Sequence, residues 1–297
     1  MKYINMMAGA FGLMALAACS NNDEVTVEQP QVARTITVTY GNGADTRMTL
    51  SEFDATEGIK GAWESTDTIG VVDNSTESPK VFTYKSTGSG PSVVFTLDGE
   101  EGPTEGQPYG IFYPKSALTD GYDFRTQTGL QKDLKNYAHA MTIVDSFSAL
   151  DNKVTLTPIC SFLYIPKGTV FPGLSVEGSR TIEVEGNNLR PSMPGSSEET
   201  SIFVEVGSLF NGDTTTDDLY IALPFRGKTT GTNITYTPIT NLQFTIMPLA
   251  TTKVSIENIY TYSIVKDASV EEPVPVEITG PGNVYVLAAT NLHLDKK

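Results

Sequence analysis

Short segments in which apolar and polar residues alternate run through most of this chain. The first is Thr35–Tyr40, where β-branched and aromatic residues alternate and the turn-forming run Gly41–Gly43 follows. Such alternation puts the apolar side chains on one face of a strand and indicates a sheet with one buried face. Further strands are predicted at 68–73, 80–85, 92–97, 107–113, 140–145, 153–157, 159–165, 181–185, 201–206, 218–223, 233–237, 242–247, 252–262 and 283–289.

The predicted strands are short and closely spaced, with turn signals such as Asp98-Gly99 between them. This spacing is typical of antiparallel β-sandwiches and not of alternating strands and helices. Only one short helical segment is predicted, at Leu130–Tyr137. The chain is therefore predicted to be all-β, with a seam at 147–152. That seam divides the folded part into an N-terminal β-sandwich, 35–149, and a C-terminal one, 150–297.

The segment before the first strand has a different pattern. Lys2 precedes an apolar run, 6–16, which is shorter than the roughly 20 residues of a membrane-spanning helix. The run ends in Leu16-Ala17-Ala18-Cys19, which resembles a bacterial lipobox, where the cysteine thiol is diacylated and the preceding peptide is removed. The resemblance implies a lipoprotein signal peptide at 1–18, lipidation of Cys19 and a polar tether at 19–34. We therefore expect a lipid-anchored protein on the outer membrane.

Charge and cysteine content narrow the possible partners. The 297 residues include 20 Lys+Arg and 35 Asp+Glu, a formal net charge of −15. Such a surface repels phosphate backbones, so a nucleic-acid partner is not expected. There are two cysteines, and with Cys19 lipidated Cys160 has no disulfide partner. Because Cys160 lies in an apolar run, we expect a small buried side chain and not a nucleophile.

The sequence contains no recognisable catalytic motif. Its two histidines, His139 and His293, have no ligand residues at metal-binding spacing, and no nucleophile elbow or phosphate-binding loop is present. The acidic loop 213–218 superficially resembles a calcium loop, but it lacks the sixth-position glycine and the distal glutamate. We therefore expect no enzyme activity, no metal and no cofactor.

The single tryptophan, Trp63, separates two interpretations. In the structural one, Trp63 packs in the core, Asp67 caps a turn, and Ile69 and Val71 face inward on a strand. In the other, Trp63 or Tyr122 is an exposed ring that stacks on sugars. That second interpretation leads to the alternative function, a surface glycan-binding lipoprotein of a polysaccharide uptake system.

The segment around the tryptophan also carries a resemblance. The pattern Trp-x-x-x-Asp-x-Ile-Gly-Val, formed here by Trp63, Asp67, Ile69, Gly70 and Val71, is similar to the signature of the fimbrillins. Fimbrillins are the lipoprotein subunits of type V fimbriae and their surface-adhesin relatives. Segments that resemble the family in the expected order, over roughly residues 1–170, are Cys19, Thr35–Tyr40, Asp45–Arg47, Ile111–Pro114, Lys132–Ala138 and Val154–Ile165.

The resemblance implies two transthyretin-like β-sandwiches and a mechanical role in cell adhesion, as a structural or accessory subunit of a fimbrium (pilus). In such subunits an arginine-specific protease removes the first strand, and a strand of another fimbrial subunit fills the groove. The candidate cleavage site is Arg47, because a cut after Arg34 would leave the strand 35–40 in place. The candidate donor strand is the C-terminal segment 283–294, which is equally well interpreted as the last strand of the second sandwich. A host or bacterial surface ligand is a further possible partner.

Overall fold

A computed structural model describes most of the chain from Val32 onward. Residues 1–31 and 42–58 lie outside the described part, and with them the predicted lipidation site Cys19 and the predicted cleavage site Arg47. The described residues are 32–41, 59, 61–73, 79–148, 152–171, 180–186, 189, 201–207, 209–225, 227–230, 233–237, 239, 242–248, 260–263, 282, 284–287 and 294–296.

The first half of the described chain is mostly strand, as the alternation predicts. A short helix, α1 (Ala117–Asp120), follows the fifth strand, and a 3-10 helix at Gln131–Tyr137 lies where the sequence predicts a helical segment. Within the described residues, neither these helices nor any other is long and apolar enough to cross a membrane. The strands are β1 (Thr35–Tyr40), β2 (Thr68–Asp73), β3 (Lys80–Ser86), β4 (Ser92–Leu97), β5 (Tyr109–Tyr113), β6 (Thr126–Gln127), β7 (Ala140–Val144) and β8 (Asn152–Pro158).

Seven of these strands close into a barrel in the order β1-β4-β3-β2-β5-β7-β8. Adjacent strands run antiparallel except β1 and β8, which pair in parallel from Ile36↔Asn152 to Tyr40↔Leu156. The predicted antiparallel arrangement therefore holds for the barrel except at the pair of β1 and β8. Alternating apolar residues determine which face of a strand is buried, whereas the direction of the neighbouring strand depends on contacts far along the chain.

The second half adds two larger sheets, β18-β17-β10-β11-β6 and β14-β9-β19-β20, and two small hairpins, β12-β13 and β15-β16. Parallel pairs occur here as well, between β6 and β11 and between β9 and β19. The strands are β9 (Cys160–Ile165), β10 (Arg180–Gly186), β11 (Ser201–Gly207), β12 (Phe210–Asn211), β13 (Thr214–Thr215), β14 (Leu219–Pro224), β15 (Gly227–Thr230), β16 (Asn233–Tyr236), β17 (Leu242–Pro248), β18 (Tyr260–Ser263), β19 (Val284–Leu287) and β20 (Leu294–Lys296).

Two hydrophobic cores meet on opposite faces of β9 and β14. The first, called the barrel core, has among its fully buried members Ile36, Val38, Trp63, Ile69, Val71, Tyr84, Phe95, Ile111 and Leu156. The second core includes Leu163, Ile165, Ile182, Val184, Val204, Leu219, Ile221, Leu223 and Phe225. Phe162, Tyr220 and Ala222 point to the barrel core from the same two strands. Burial on both faces explains why 159–165 is a nearly continuous apolar run.

The strands β9 and β14 contribute side chains to both cores and so link the two predicted sandwiches. Residues Gln31–Lys297 form one compact unit, and a division into two transthyretin-like domains is not confirmed. The predicted boundary after residue 149 precedes β8, yet β8 pairs with β1 and β7 in the barrel. The change from the barrel to the second set of sheets comes at Ile159, between β8 and β9.

A side chain that the sequence analysis did not single out covers the edge of β14. The Gln127 side chain is 1% exposed. Its Nε2 donates to the Ala222 carbonyl at 2.9 Å, and its Oε1 accepts from the Ala222 N–H at 2.8 Å. The Gly129 carbonyl accepts from the Tyr220 N–H at 2.9 Å. The segment from Gln127 to Gly129 thus gives this strand edge the partners that it would otherwise lack.

Candidate strand-exchange site

The N-terminal strand β1 completes the barrel by filling the space between β4 and β8. On one side it pairs antiparallel with β4, from Thr35↔Thr96 to Thr39↔Ser92. On the other side it pairs in parallel with β8, from Ile36↔Asn152 to Tyr40↔Leu156. The ladder continues past β1, because Leu97 N–H donates to the Arg34 carbonyl at 2.9 Å and Gly41 N–H donates to the Leu156 carbonyl at 2.7 Å. Within the described residues, β4 and β8 do not pair with each other directly, and β1 closes the barrel between them.

The side chains of β1 alternate between the barrel core and the outer surface. Ile36 and Val38 have no exposed surface, and Tyr40 is 4% exposed. The three threonines of the strand alternate with them, and Thr39 Oγ1 donates to Ser92 Oγ at 3.0 Å on the outside. The strand therefore supplies both backbone hydrogen bonds and apolar side chains, and a replacement strand would have to supply the same two things.

The residues just before β1 fix its point of entry. The Tyr84 hydroxyl donates to the Ala33 carbonyl at 2.6 Å, and Ala33 N–H donates to the Pro103 carbonyl at 3.1 Å. The exposed Arg34 side chain donates from Nη1 to the Gly99 carbonyl at 2.9 Å. Because Arg34 precedes the strand, a cut after it leaves β1 in its place, as expected from the sequence. Arg47, the other candidate, lies outside the described residues.

Trp63, the first residue of the motif, packs in the barrel core beside β1. Trp63 has no exposed surface, and its ring meets those of Phe95 and Tyr113 edge-on at centroid distances of 5.0 Å each. The ring of Tyr40, the last residue of β1, lies 6.1 Å away. Tyr122 is only 5% exposed. Neither Trp63 nor Tyr122 therefore presents an aromatic platform to a sugar, which removes the observation on which the glycan-binding alternative depends.

The polar and glycine positions of the motif hold the turn before β2. Asp67 Oδ2 accepts from the Glu64 N–H at 2.6 Å, and Asp67 Oδ1 accepts from the Tyr113 hydroxyl at 2.8 Å. Burial raises the pKa of the Asp67 carboxyl above its ordinary value, although these hydrogen bonds oppose the shift. At Gly70 a β-carbon would collide with Leu118 Cδ1, so any other residue here would require the Leu118 side chain of α1 to shift away from β2.

The histidine and the cysteine of the described part are both enclosed in the barrel core. The His139 ring packs against Tyr122 at 4.4 Å and Phe124 at 5.3 Å, and burial lowers the pKa of His139 to about 3. Cys160 Sγ donates to the Tyr137 carbonyl at 3.1 Å, and burial raises the pKa of the thiol. A neutral thiol and an enclosed neutral imidazole are poorly suited to nucleophilic or acid-base catalysis near neutral pH.

The acidic loop that resembles a calcium loop forms hydrogen bonds within the protein. In the acidic loop 213–218, Asp218 Oδ1 accepts from the Tyr164 hydroxyl at 3.0 Å and from the Lys167 N–H at 2.7 Å. Across the described residues, no three metal-binding side chains come together.

In the C-terminal segment 283–294, β19 pairs in parallel with β9 and antiparallel with β20. Val284–Leu287 of this segment is thus an internal strand of the second set of sheets, and Leu294 begins the edge strand β20. Residues 283 and 288–293 lie outside the described part.

Comparison with solved structures finds cell adhesion proteins, adhesins and fimbrial proteins from Bacteroidetes at low sequence identity. No family model matches the sequence, and no curated protein matches it. A solved structure of a proposed cell adhesion protein from Bacteroides ovatus is 11% identical, with a TM-score of 0.43, covering 91% of this chain and 95% of that one. The tip fimbrial protein Mfa3 from Porphyromonas gingivalis, with a C-terminal truncation, is 11% identical with a TM-score of 0.35, covering 89% and 98%.

A fimbrial assembly protein from Parabacteroides distasonis is 12% identical with a TM-score of 0.28, covering 88% of this chain and 93% of that one. These neighbours are adhesion and fimbrial proteins, the class that the Trp63 motif resembles. Identities and TM-scores this low do not define a role for the chain. Its role has to follow from its own strands, above all from β1.

Proposed function

We propose that this chain is a surface-exposed structural or accessory subunit of a fimbrium, acting in cell adhesion, and that β1 is a placeholder strand. The single observation that supports the proposal is the position of β1 between β4 and β8. Removing β1 leaves two strand edges with unpaired N–H and C=O groups, and such edges bind an extended strand of another chain.

The proposed groove has defined chemistry. Release of β1 uncovers the positions that Ile36, Val38 and Tyr40 fill in the barrel core. A donor strand would therefore carry apolar residues at alternate positions, since side chains of a strand alternate between its two faces. The C-terminal strands of another copy are one source, but β19 and β20 are themselves paired in this chain. A donor from this region would first have to leave its place beside β9.

The trigger we propose is cleavage after Arg47. A cut there separates β1, together with the predicted lipid on Cys19, from the rest of the chain. Release from the outer membrane and exposure of the groove would then be one event. We also propose that the role is mechanical and not catalytic, which is supported by the enclosed states of His139 and Cys160.

Digestion with an arginine-specific protease tests this proposal. We expect a fragment that begins at Met48, loses β1 and assembles with time, as followed by size-exclusion chromatography and electron microscopy. The Arg47→Lys variant keeps the positive charge but resists this protease, so it should remain monomeric. A Met48 fragment that keeps β1 bound, or that never assembles, would contradict strand exchange.

Lipidation is tested separately. Acyl labelling of cells that express the wild type and Cys19→Ala should mark the wild type alone. Equal labelling of both proteins would show that the lipid is not on Cys19, and would leave the question of strand exchange to the protease experiment.

A further inference from the structure

A cavity of about 410 Å³ lies at the end of the barrel where the chain enters β1. Its walls come from the ends of β2 and β3, the start of β5, the loop between β4 and β5, and the residue Val32. Cavities of about 300–1,000 Å³ are typical of sites that bind small molecules. No residue of β1 lines the cavity, although Val32 belongs to the segment that the proposed cleavage after Arg47 would release.

The floor of the cavity is apolar and held in place. It is formed by Val32, Phe82 and Tyr109. The Phe82 and Tyr109 rings meet edge-on at 6.4 Å, and the Tyr109 hydroxyl accepts from the Thr104 N–H at 2.9 Å. At Gly102 a β-carbon would lie 2.4 Å from Val32 Cγ1, so the loop closes on Val32 only because this residue is glycine. These contacts give the floor a fixed shape before any ligand arrives.

The rim of the cavity is acidic. Three carboxylates, Asp73, Glu100 and Glu101, line it together with one ammonium group, that of Lys80. Lys80 Nζ lies 3.3 Å from Glu101 Oε2, and both side chains are exposed, at 63% and 81%. An exposed pair of this kind is weak and open to competition from another cation. The rim therefore favours positive charge, as does the net charge of −15 of the whole chain.

An apolar floor with an acidic rim matches one kind of side chain closely. Arginine has an apolar stem that packs on aromatic rings, and a planar guanidinium that binds carboxylates through two parallel hydrogen bonds. We propose that this cavity binds an arginine side chain of a partner peptide. A second copy of this chain is disfavoured as the partner, because two acidic surfaces repel each other at long range.

Peptide titration of the intact chain tests the inference. The probe is the peptide acetyl-Leu-Arg-Leu-amide, and its control replaces arginine with citrulline, which has the same shape without the charge. We expect the citrulline peptide to bind roughly three- to tenfold more weakly in calorimetric titration, and the difference to shrink as salt is raised. Equal binding of the two peptides, or no binding of either, would overturn the inference.

Variants that are expected to change peptide affinity in opposite directions test whether the peptide binds at this cavity. The double change Glu100→Gln and Glu101→Gln should weaken the arginine peptide by roughly three- to tenfold, whereas Lys80→Gln should tighten it by about two- to threefold. The matched control is Glu105→Gln with Glu205→Gln, two exposed carboxylates outside the cavity, and it should leave binding unchanged. Equal effects of the two double variants would mean that the peptide responds only to net charge, and would overturn the site.

Self-association in the absence of peptide is the remaining outcome to measure. If sedimentation shows copies of the chain associating, and the Glu100→Gln and Glu101→Gln variant abolishes this, the occupant is a second copy and the inference is wrong. All these measurements use the uncleaved chain. Their failure would leave the proposed exchange of β1 untouched, just as failure of strand exchange would leave this cavity in place.

Discussion

The two cores of this protein are built from different side chains. Most of the buried aromatic residues line the barrel core: Tyr40, Trp63, Tyr84, Phe95, Tyr109, Phe112, Tyr113, Tyr122, Phe124, Tyr137, Phe147, Phe162 and Tyr220. In the second core the buried residues of the described part are aliphatic apart from Phe171, Phe210 and Phe225. Aromatic rings favour specific edge-on or offset contacts with one another, whereas aliphatic side chains pack closely without a comparable directional preference.

The difference shows which part of the barrel core depends on β1. Among the described residues, the rings nearest to Trp63 are those of Phe95 on β4 and Tyr113 on β5. From β1 the core receives two aliphatic side chains, Ile36 and Val38, and the terminal Tyr40. Loss of β1 therefore uncovers the barrel core. The contacts of Trp63 with Phe95 and Tyr113 do not involve β1 and remain. Under the proposed exchange, a donor strand with branched apolar residues at alternate positions would supply the same side chains to the core.

The largest effect that we expect comes from removing the centre of the aromatic cluster. Trp63→Ala should lower the free energy of unfolding by about 3–5 kcal/mol, because a cavity replaces a fully enclosed ring. Denaturant titration followed by far-ultraviolet circular dichroism measures the loss. Trp63→Phe is the control, and it should cost clearly less because a ring remains between Phe95 and Tyr113. A loss below about 1 kcal/mol for Trp63→Ala would contradict the central place of this ring.

Lowering the pH should reduce the free energy of unfolding, because His139 is buried in its neutral form in the barrel core. The ordinary pKa of 6.5 applies in the unfolded chain, and burial lowers it to about 3 in the folded one. Between these values the unfolded state binds more protons, so stability is fully present above pH 6.5 and is lost as the pH falls toward 3. We expect a decrease of at most about 1.4 kcal/mol per pH unit over this range. His139→Gln should reduce this slope, as measured by denaturant titration at several pH values. An unchanged slope would contradict the account.

A matched pair of valines tests the contribution of β1 at a smaller scale. Val38→Ala on β1 should destabilise the protein by roughly 1–3 kcal/mol, because Val38 has no exposed surface. Val94→Ala on the neighbouring β4 makes the same chemical change at a residue that is 40% exposed, and should cost less than about 0.5 kcal/mol. Similar losses for both variants would mean that β1 does not contribute to the core as described.

The sequence predicted the strands well because alternation is a local property. The bounds predicted for β1, β2 and β4 are the observed ones, and the helical segment near 130–137 is a 3-10 helix. The inward positions of Ile69 and Val71 follow from the same periodicity, since every second residue of a strand points to the same face. For such elements, the residues of the segment itself are enough to predict the strand and its buried face.

Features that depend on distant parts of the chain were not predicted. Closure of the barrel requires β1 to meet β8 across more than a hundred residues, and alternation does not encode that partner or its parallel direction. Gln127 covers the edge of β14 from 95 residues away, and nothing in its local sequence marks it. The apolar run 159–165 did signal burial on both faces, and it could have indicated that one strand serves two cores.

Hydrogen exchange before and after cleavage at Arg47 tests the central claim most directly. We predict that amides in 92–97 and 152–158, which pair with β1, lose protection once β1 has left, while amides in 68–73 on the opposite part of the barrel stay protected. Protection of the first two segments should return when the cleaved subunits assemble. Unchanged protection at 92–97 and 152–158 after loss of β1, or loss of protection throughout the barrel, would contradict a replaceable first strand.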